Sequence, residues 1–297
     1  MKILFCSDGS LQAENAIRFG SLIAAACEAE ASILGITELP DEQSELLQAL
    51  ERSAQILKEK APSIEIIARS GEPIEEIVKR TTEVTYDLVV IGAARKEAHG
   101  PFWMSAKAYK IIKRIIPPVL TVIGSRHRLQ NILICSGGKG YIDKALELTG
   151  TIARGAGAKV VLVHVMPEPP QMYAGLIARE ENVELLLNSS SLLGLNLKRV
   201  KQTLEAMGVA TEIRLRHGEV TAELLREARR VDYDLVVAGS SPARGPLQTY
   251  IMGDITRELI NQAECPVLVV RTGEVSTLPG EFSRFLAELK QAFRPSK

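Results

Sequence analysis

One α/β pattern occurs twice in this chain of 297 residues. Gly71-Glu72 opens a stretch that ends Tyr86-Asp87-Leu88-Val89-Val90-Ile91-Gly92. Gly218-Glu219 opens another that ends Tyr233-Asp234-Leu235-Val236-Val237-Ala238-Gly239. Residues 71–92 and 218–239, at an offset of 147, share 10 identities in 22 positions. The apolar runs at 3–9 and 132–138 align at an offset of 129, so the second copy carries 18 further residues near its middle. A repeat of this length means two domains, each large enough to fold around its own core. The expected division is 1–126, 130–272 and a tail over 273–297, with the polar run 124–130 as linker.

Within each copy, short apolar runs alternate with helical spacing. Runs at 3–6, 32–36, 64–68, 88–91 and 119–123 read as buried strands in copy one; 132–135, 160–165, 211–215, 235–238 and 267–270 match them in copy two. Between them, sets such as Ala13, Ala16, Ile17 and Ile23, or Leu193, Leu197, Val200 and Leu204, recur at helix spacing. Fully apolar strands alternating with helices predict a parallel sheet covered on both faces. Each copy is therefore expected to be a doubly wound, five-stranded, three-layer α/β unit. The extra length of copy two falls at 166–190. In the tail, Phe282, Phe285, Leu286, Leu289 and Phe293 line one face of an amphipathic helix. That helix is expected to fold back on its own body, or to dock a protein partner or a second copy.

Composition removes several function classes. Lys+Arg and Asp+Glu are both 36 and aromatics are 4%, which leaves neither a basic field nor a stacking platform for nucleic acid. Four cysteines without a CxxC pair read as small buried residues in a reducing cytoplasm. The four histidines show no metal spacing. No run reaches the ~18 apolar residues of a membrane span, and the first apolar run stops at Ser7-Asp8, too early for a secretory leader. A cytoplasmic protein that touches no membrane is expected. G-x-S-x-G, HExxH, Walker A and paired-acid motifs are all missing, so no enzyme is expected. His164 reads as a core histidine, and Asp87 and Asp234 as caps on the start of the fourth strand.

In open parallel sheets ligands bind beyond the carboxyl ends of the strands, where strand order switches. Asp8 and Gly137 follow the first strand of each copy, and Gly92 and Gly239 end the fourth. Copy two continues Gly239-Ser240-Ser241-Pro242-Ala243-Arg244-Gly245, then reaches Met252-Gly253-Asp254 and a helix. Glycines that let the backbone approach, and a helix N-terminus behind them, suit a phosphate, with Arg244 as an added cation.

Four features carry a resemblance: Ser7-Asp8-Gly9-Ser10 after strand one, His164-Val165, the twofold Tyr-Asp-Leu-Val-Val-x-Gly, and Pro266-Val267-Leu268-Val269-Val270. Together they resemble the universal stress protein (UspA-type) family in tandem. The resemblance implies the adenine-nucleotide-alpha-hydrolase-like fold and a cytoplasmic role in stress response exercised by binding, not turnover. Single-domain members pair through their final strands, which implies that 119–123 and 267–270 pack the copies as an internal pseudo-dimer. In ATP-binding members, a strand-one aspartate and a strand-two valine hold adenosine, and a G-x2-G-x9-G-[S/T] loop holds phosphate. In copy one the carry-over gives Asp8, Ile36 and Gly92, with the rest of the loop lost. In copy two it gives Val165, Gly239 and Gly253, the last 14 residues past Gly239 where the motif has 13, while Ser240, Arg244 and Gly245 are candidates from the loop itself. Pro242 stands for the second glycine, Asp254 for the Ser/Thr and Gly137 for the aspartate.

The ligand this implies is ATP or AMP, in copy two before copy one, with magnesium only as carried by the nucleotide. The alternatives are a nucleotide-free partner-binding scaffold and a metal-dependent ATPase. Ser136-Gly137-Gly138-Lys139-Gly140 is also similar to the Ser-Gly-Gly-x-Asp-Ser loop of the ATP-pyrophosphatase group, without its Asp-Ser.

Overall fold

The computed structural model describes residues 1–38, 43–93, 106–137, 143–168, 183–240 and 254–271. Copy one runs β1 (Lys2–Ser7), α1 (Leu11–Ala26), β2 (Glu30–Thr37), α2 (Gln43–Leu57), β3 (Ile64–Ser70), α3 (Pro73–Glu83), β4 (Leu88–Ala93), α4 (Ala106–Arg114) and β5 (Val119–Ile123). Copy two runs β6 (Asn131–Ser136), α5 (Asp143–Ala156), β7 (Lys159–Met166), α6 (Val183–Leu187), α7 (Leu192–Ala206), β8 (Thr211–His217), α8 (Val220–Arg230), β9 (Leu235–Ser240), α9 (Asp254–Gln262) and β10 (Val267–Arg271). All ten expected strands form. Of the extra segment in copy two, α6 is its described helix; the tail lies outside the described residues.

The repeated Gly-Glu pair has a local cause. Gly71 and Gly218 turn the chain at φ +149° and +136°, and the glutamate that follows caps the next helix. Glu72 accepts from the Glu75 amide at 2.8 Å and Glu219 from the Ala222 amide at 2.6 Å, satisfying N–H groups that a helix start leaves unpaired. The repeated aspartates tie β4 and β9 to the strand beside them. Asp87 accepts from the Lys2 amide at 2.7 Å. Asp234, fully buried, accepts from the Gln130 and Asn131 amides at 2.8 and 3.0 Å and from Arg128 Nε at 2.7 Å. Arg126 and Arg128 also pair with Asp232, so the linker is fixed against copy two.

Strand order is β3-β2-β1-β4-β5 in copy one and β8-β7-β6-β9-β10 in copy two, with parallel neighbours throughout each. The two sheets are not separate. β5 and β10 pair antiparallel and fuse them into one ten-stranded sheet. Leu120 pairs with Leu268, its own counterpart at an offset of 148, flanked by Thr121–Val267 and Val119–Val269. One apolar layer lies between the sheet and α1, α2, α5 and α7, the other between the sheet and α3, α4, α8 and α9, and each contains residues of both copies.

Equivalent residues also meet above and below the sheet. Ala26 of α1 lies against Gly155 of α5, its counterpart at an offset of 129. On the other face Arg257 of α9 stacks over the ring of Tyr109 of α4, its counterpart at 148, with the guanidinium carbon 5.7 Å from the ring centre. Contacts between like positions in all three layers are the mark of a local twofold axis. Arg271, at the end of β10, donates to the Ile112 carbonyl in the last turn of α4, where cations complement the helix dipole.

The copies differ sharply at one polar network. In copy one Arg80 donates to the Tyr86 hydroxyl at 2.8 Å and to Glu65 at 2.6 Å. At the matching position copy two has Glu227, its side chain 0% exposed, held by Arg214 at 2.7 Å and Arg216 at 2.6 Å and accepting from the Tyr233 hydroxyl at 3.2 Å. The tyrosine is kept while the charge beside it is reversed.

Candidate functional site

Register defines a notch at the carboxyl edge of each copy. In copy one β1 pairs with β2 as far as Ser7–Gly35 and with β4 as far as Cys6–Ile91. β2 then continues through Ile36 and Thr37, and β4 through Gly92 and Ala93, with no β1 partner between them. In copy two β6 ends at Ser136 opposite His164, while β7 runs on to Val165 and Met166 and β9 to Gly239 and Ser240. These notches are the crevices where strand order reverses. Because β5 and β10 are antiparallel, the two notches open on opposite edges of the sheet.

Copy one brings Asp8, Ile36 and Gly92 together at its notch. Asp8 is exposed and accepts from the Ser10 amide at 3.0 Å through Oδ1. Ser7 Oγ accepts from the Gly9 amide at 3.2 Å, and Ser10 Oγ caps α1 by accepting from the Ala13 amide at 3.2 Å. The loop therefore consumes its own donors. A Cβ on Gly92 would lie 2.5 Å from the Gln12 carbonyl oxygen and 2.8 Å from the Ala13 amide nitrogen. Gly92 is small so that α1 can seat on the end of β4, a packing demand independent of phosphate.

Copy two brings Gly137, Val165, Gly239 and Ser240 to one level on three adjacent strands. Gly137 is exposed where copy one has Asp8, so this position places no side chain of its own over the end of β6. Among the described residues, nothing lies within 4 Å of a Cβ built on Gly137 or Gly239. Asp254 opens α9, which returns from this edge into β10. Arg244, Gly245 and Gly253 lie outside the described residues, as do Gly138, Lys139 and Gly140. Ile36 and Val165 are only 7% and 8% exposed, turned into the layer shared with α3, α4, α8 and α9. Main-chain groups are thus what those two positions present to the notch.

One residue gains a place that periodicity alone did not give it. His164 is half-buried at the floor of the copy-two notch, with Nδ1 2.9 Å from the Ser136 carbonyl oxygen, so Nδ1 carries the proton that it donates. Copy one has Gly35 there, where a Cβ would lie 2.5 Å from Leu50 Cδ1. Aligning the copies at an offset of 129 is the signal that marks this difference.

No nucleophile is activated among the cysteines. All four are free thiols, and burial pushes Cys6, Cys135 and Cys265 up to about 12 and Cys27 to about 11. Among the described residues no group of three or more His, Cys, Asp or Glu is placed to hold a metal ion. None of their helices is long and apolar enough to cross a membrane.

A family model for the universal stress protein family matches residues 1–122 and again 128–271. The chain belongs to the universal stress protein family. Universal stress protein MJ0531 of Methanocaldococcus jannaschii is 28% identical over 171 residues, 57% of this chain and 95% of that protein. Universal stress protein YxiE of Bacillus subtilis is 26% identical over 145 residues, 47% of this chain and 97% of its own length. The same fold extends over both copies: a universal stress protein from Archaeoglobus fulgidus superposes with a TM-score of 0.67 at 17% identity, covering 92% of this chain and 98% of that structure.

Proposed function

We propose that this member of the family is a non-catalytic, cytoplasmic regulator of stress response that binds an adenine nucleotide, ATP or AMP, in the copy-two notch. Family membership supports the stress-response role. The observation that carries the placement is the glycine that follows β6. Gly137 puts no side chain of its own over the notch floor, whereas the copy-one loop spends Ser7, Asp8 and Ser10 on its own amides. The residues present fit an adenine nucleotide. Main chain at Val165 and Gly137 would hold the nucleoside, and Gly239, Ser240, Arg244, Gly245 and Gly253 ahead of α9 would hold phosphate, where a helix N-terminus favours an anion. Magnesium would arrive with the nucleotide.

Calorimetry of the full chain with ATP, AMP and adenosine tests this reading. One molecule should bind per chain, and Gly253→Phe should abolish it. Gly137→Asp restores the acceptor that copy one has in Asp8. One added hydrogen bond, about 1 kcal/mol, should tighten adenosine about fivefold. Absence of any nucleotide binding would leave the partner-binding scaffold as the reading.

A further inference from the structure

The groove between α8 and α9 is made by two substitutions between the copies. In copy one the matching helices, α3 and α4, are tied by a bidentate ion pair in which two Arg114 nitrogens donate to both carboxylate oxygens of Glu75. Glu75 corresponds to Ala222 at an offset of 147, and Arg114 to Gln262 at 148. Losing a carboxylate and a guanidinium from facing positions opens a groove of about 440 Å³, lined by Ala222, Leu225, Arg226, Arg229, Arg230 and Gln262.

The lining has also changed sign. Copy one has Lys79, Thr82 and Glu83 where copy two has Arg226, Arg229 and Arg230, so one cation and one anion become three cations. Arg226 leans on Glu223 of its own helix, and Arg229 on Glu264 at 3.4 Å. Both are surface pairs, weakly held and open to exchange. Arg230 pairs with no acid among the described residues. Among the described residues no acidic side chain lines the groove, although in copy one a carboxylate occupies the matching place.

We infer that this groove docks a short acidic peptide segment of a partner protein. Arg226 and Arg230 are one helical turn apart, about 6 Å, which matches carboxylates one turn apart on a helix or two residues apart on a strand. Leu225 and Ala222 form an apolar floor for the side chain between them. Planar guanidinium forks suit carboxylates bidentately, as Arg114 does with Glu75. The chain as a whole has zero net charge, so the recognition is local to the groove and does not come from a polyanion-binding field.

The probe is a short fluorescent peptide of alternating Glu and Leu, read by anisotropy against the full chain at low salt, beside the same peptide with Gln for Glu. The Glu peptide should saturate, and the Gln peptide should bind at least tenfold more weakly. Ala222→Glu re-creates the copy-one carboxylate. It lies on an exposed position of the first turn of α8, where an acid favours the helix, so the variant folds; its affinity should fall tenfold or more. Arg230→Gln should weaken binding about fivefold, while Glu75→Ala in copy one should leave it unchanged. Equal affinity of Ala222→Glu and the unaltered protein overturns the inference, as does failure of the Glu peptide to saturate. Displacement of the peptide by a single-stranded oligonucleotide of equal charge at lower concentration overturns it too, and assigns the surface to nucleic acid.

Discussion

A Cβ added to Gly155 would lie 1.8 Å from the carbonyl oxygen of Ala26, the residue that fills the matching position in the other copy. The obstacle is main chain, so no rotamer change relieves it. Alanine is worth up to about 1 kcal/mol more than glycine inside a helix, but overpacking against fixed neighbours costs about 1–3 kcal/mol. Gly155→Ala should therefore lower stability by about 1–2 kcal/mol, read as a lower urea midpoint. A midpoint that rises would mean α1 and α5 can part without loss.

The turn after α1 makes a prediction of opposite sign. Glu28 sits at φ +46°, where copy two has Gly157 at +64°. Both turns close with the same bond, Ala29 N to Ala24 O at 2.9 Å and Ala158 N to Ala153 O at 2.8 Å. A side chain in the left-handed region costs about 1–2 kcal/mol, against about 0.5–1 kcal/mol for the extra freedom of glycine in the unfolded chain. Glu28→Gly should stabilise by up to about 1 kcal/mol in thermal or urea unfolding, and Gly157→Glu should destabilise.

Glu227 should make stability depend on acid. Burial works to raise its carboxyl, but hydrogen bonds from Arg214 and Arg216 outweigh that and hold it below the ordinary carboxylate range. A group whose folded value is depressed contributes stability above its unfolded value, about 4.3. That contribution is lost as pH falls through the folded value. Glu227→Gln should flatten the fall of the urea midpoint below about pH 4. At neutral pH it should cost about 3 kcal/mol, the lower end for a broken buried pair, because both arginines are 25% exposed. Parallel pH profiles for the variant and the unaltered protein would show that Glu227 is not the group responsible.

Asp254 separates phosphate from nucleoside. If nucleotide phosphate faces the start of α9, Asp254→Ser removes one like-charge contact, about 1 kcal/mol at partial exposure. ATP should then tighten about fivefold while adenosine stays unchanged; equal effects would mark the aspartate as a helix cap. Phosphoryl transfer needs a metal clamp, cationic charge stabilisation and a group that positions the nucleophile, and the motif residues supply too few of these. ATP hydrolysis should stay at background, and turnover lost on Asp254→Ala would instead make the protein a metal-dependent ATPase.

Much of this architecture could be read from the chain because the strands are pure apolar runs and the helices keep their spacing. Even the strand-start roles of Asp87 and Asp234 followed from their place after a tyrosine and before Leu-Val-Val. What periodicity hid was chemistry set by partners distant in sequence. Nothing local to Arg80 or Glu227 says that each faces a buried tyrosine hydroxyl from one position with opposite charge. Nor does Ala222 alone announce a groove, since that depends on Gln262 forty residues away. Gly92 shows the converse: a glycine matched to a phosphate motif turns out to be demanded by the first turn of α1. Arg244, Gly245 and Gly253 rest on the sequence alone.

Tyr109 and Arg257 show what tethering makes accessible. When two identical chains meet on a twofold axis, the residue at the axis meets itself, so tyrosine would face tyrosine or arginine would face arginine. Here one position is aromatic and the other cationic, and the ring accepts the guanidinium. Joined in one polypeptide, the halves also cannot be separated by dilution, so the seam holds at any concentration at which the chain is folded. Each half is then free to change alone. A substitution enters on one side of the axis only, as Gly137 does opposite Asp8 and Glu227 opposite Arg80.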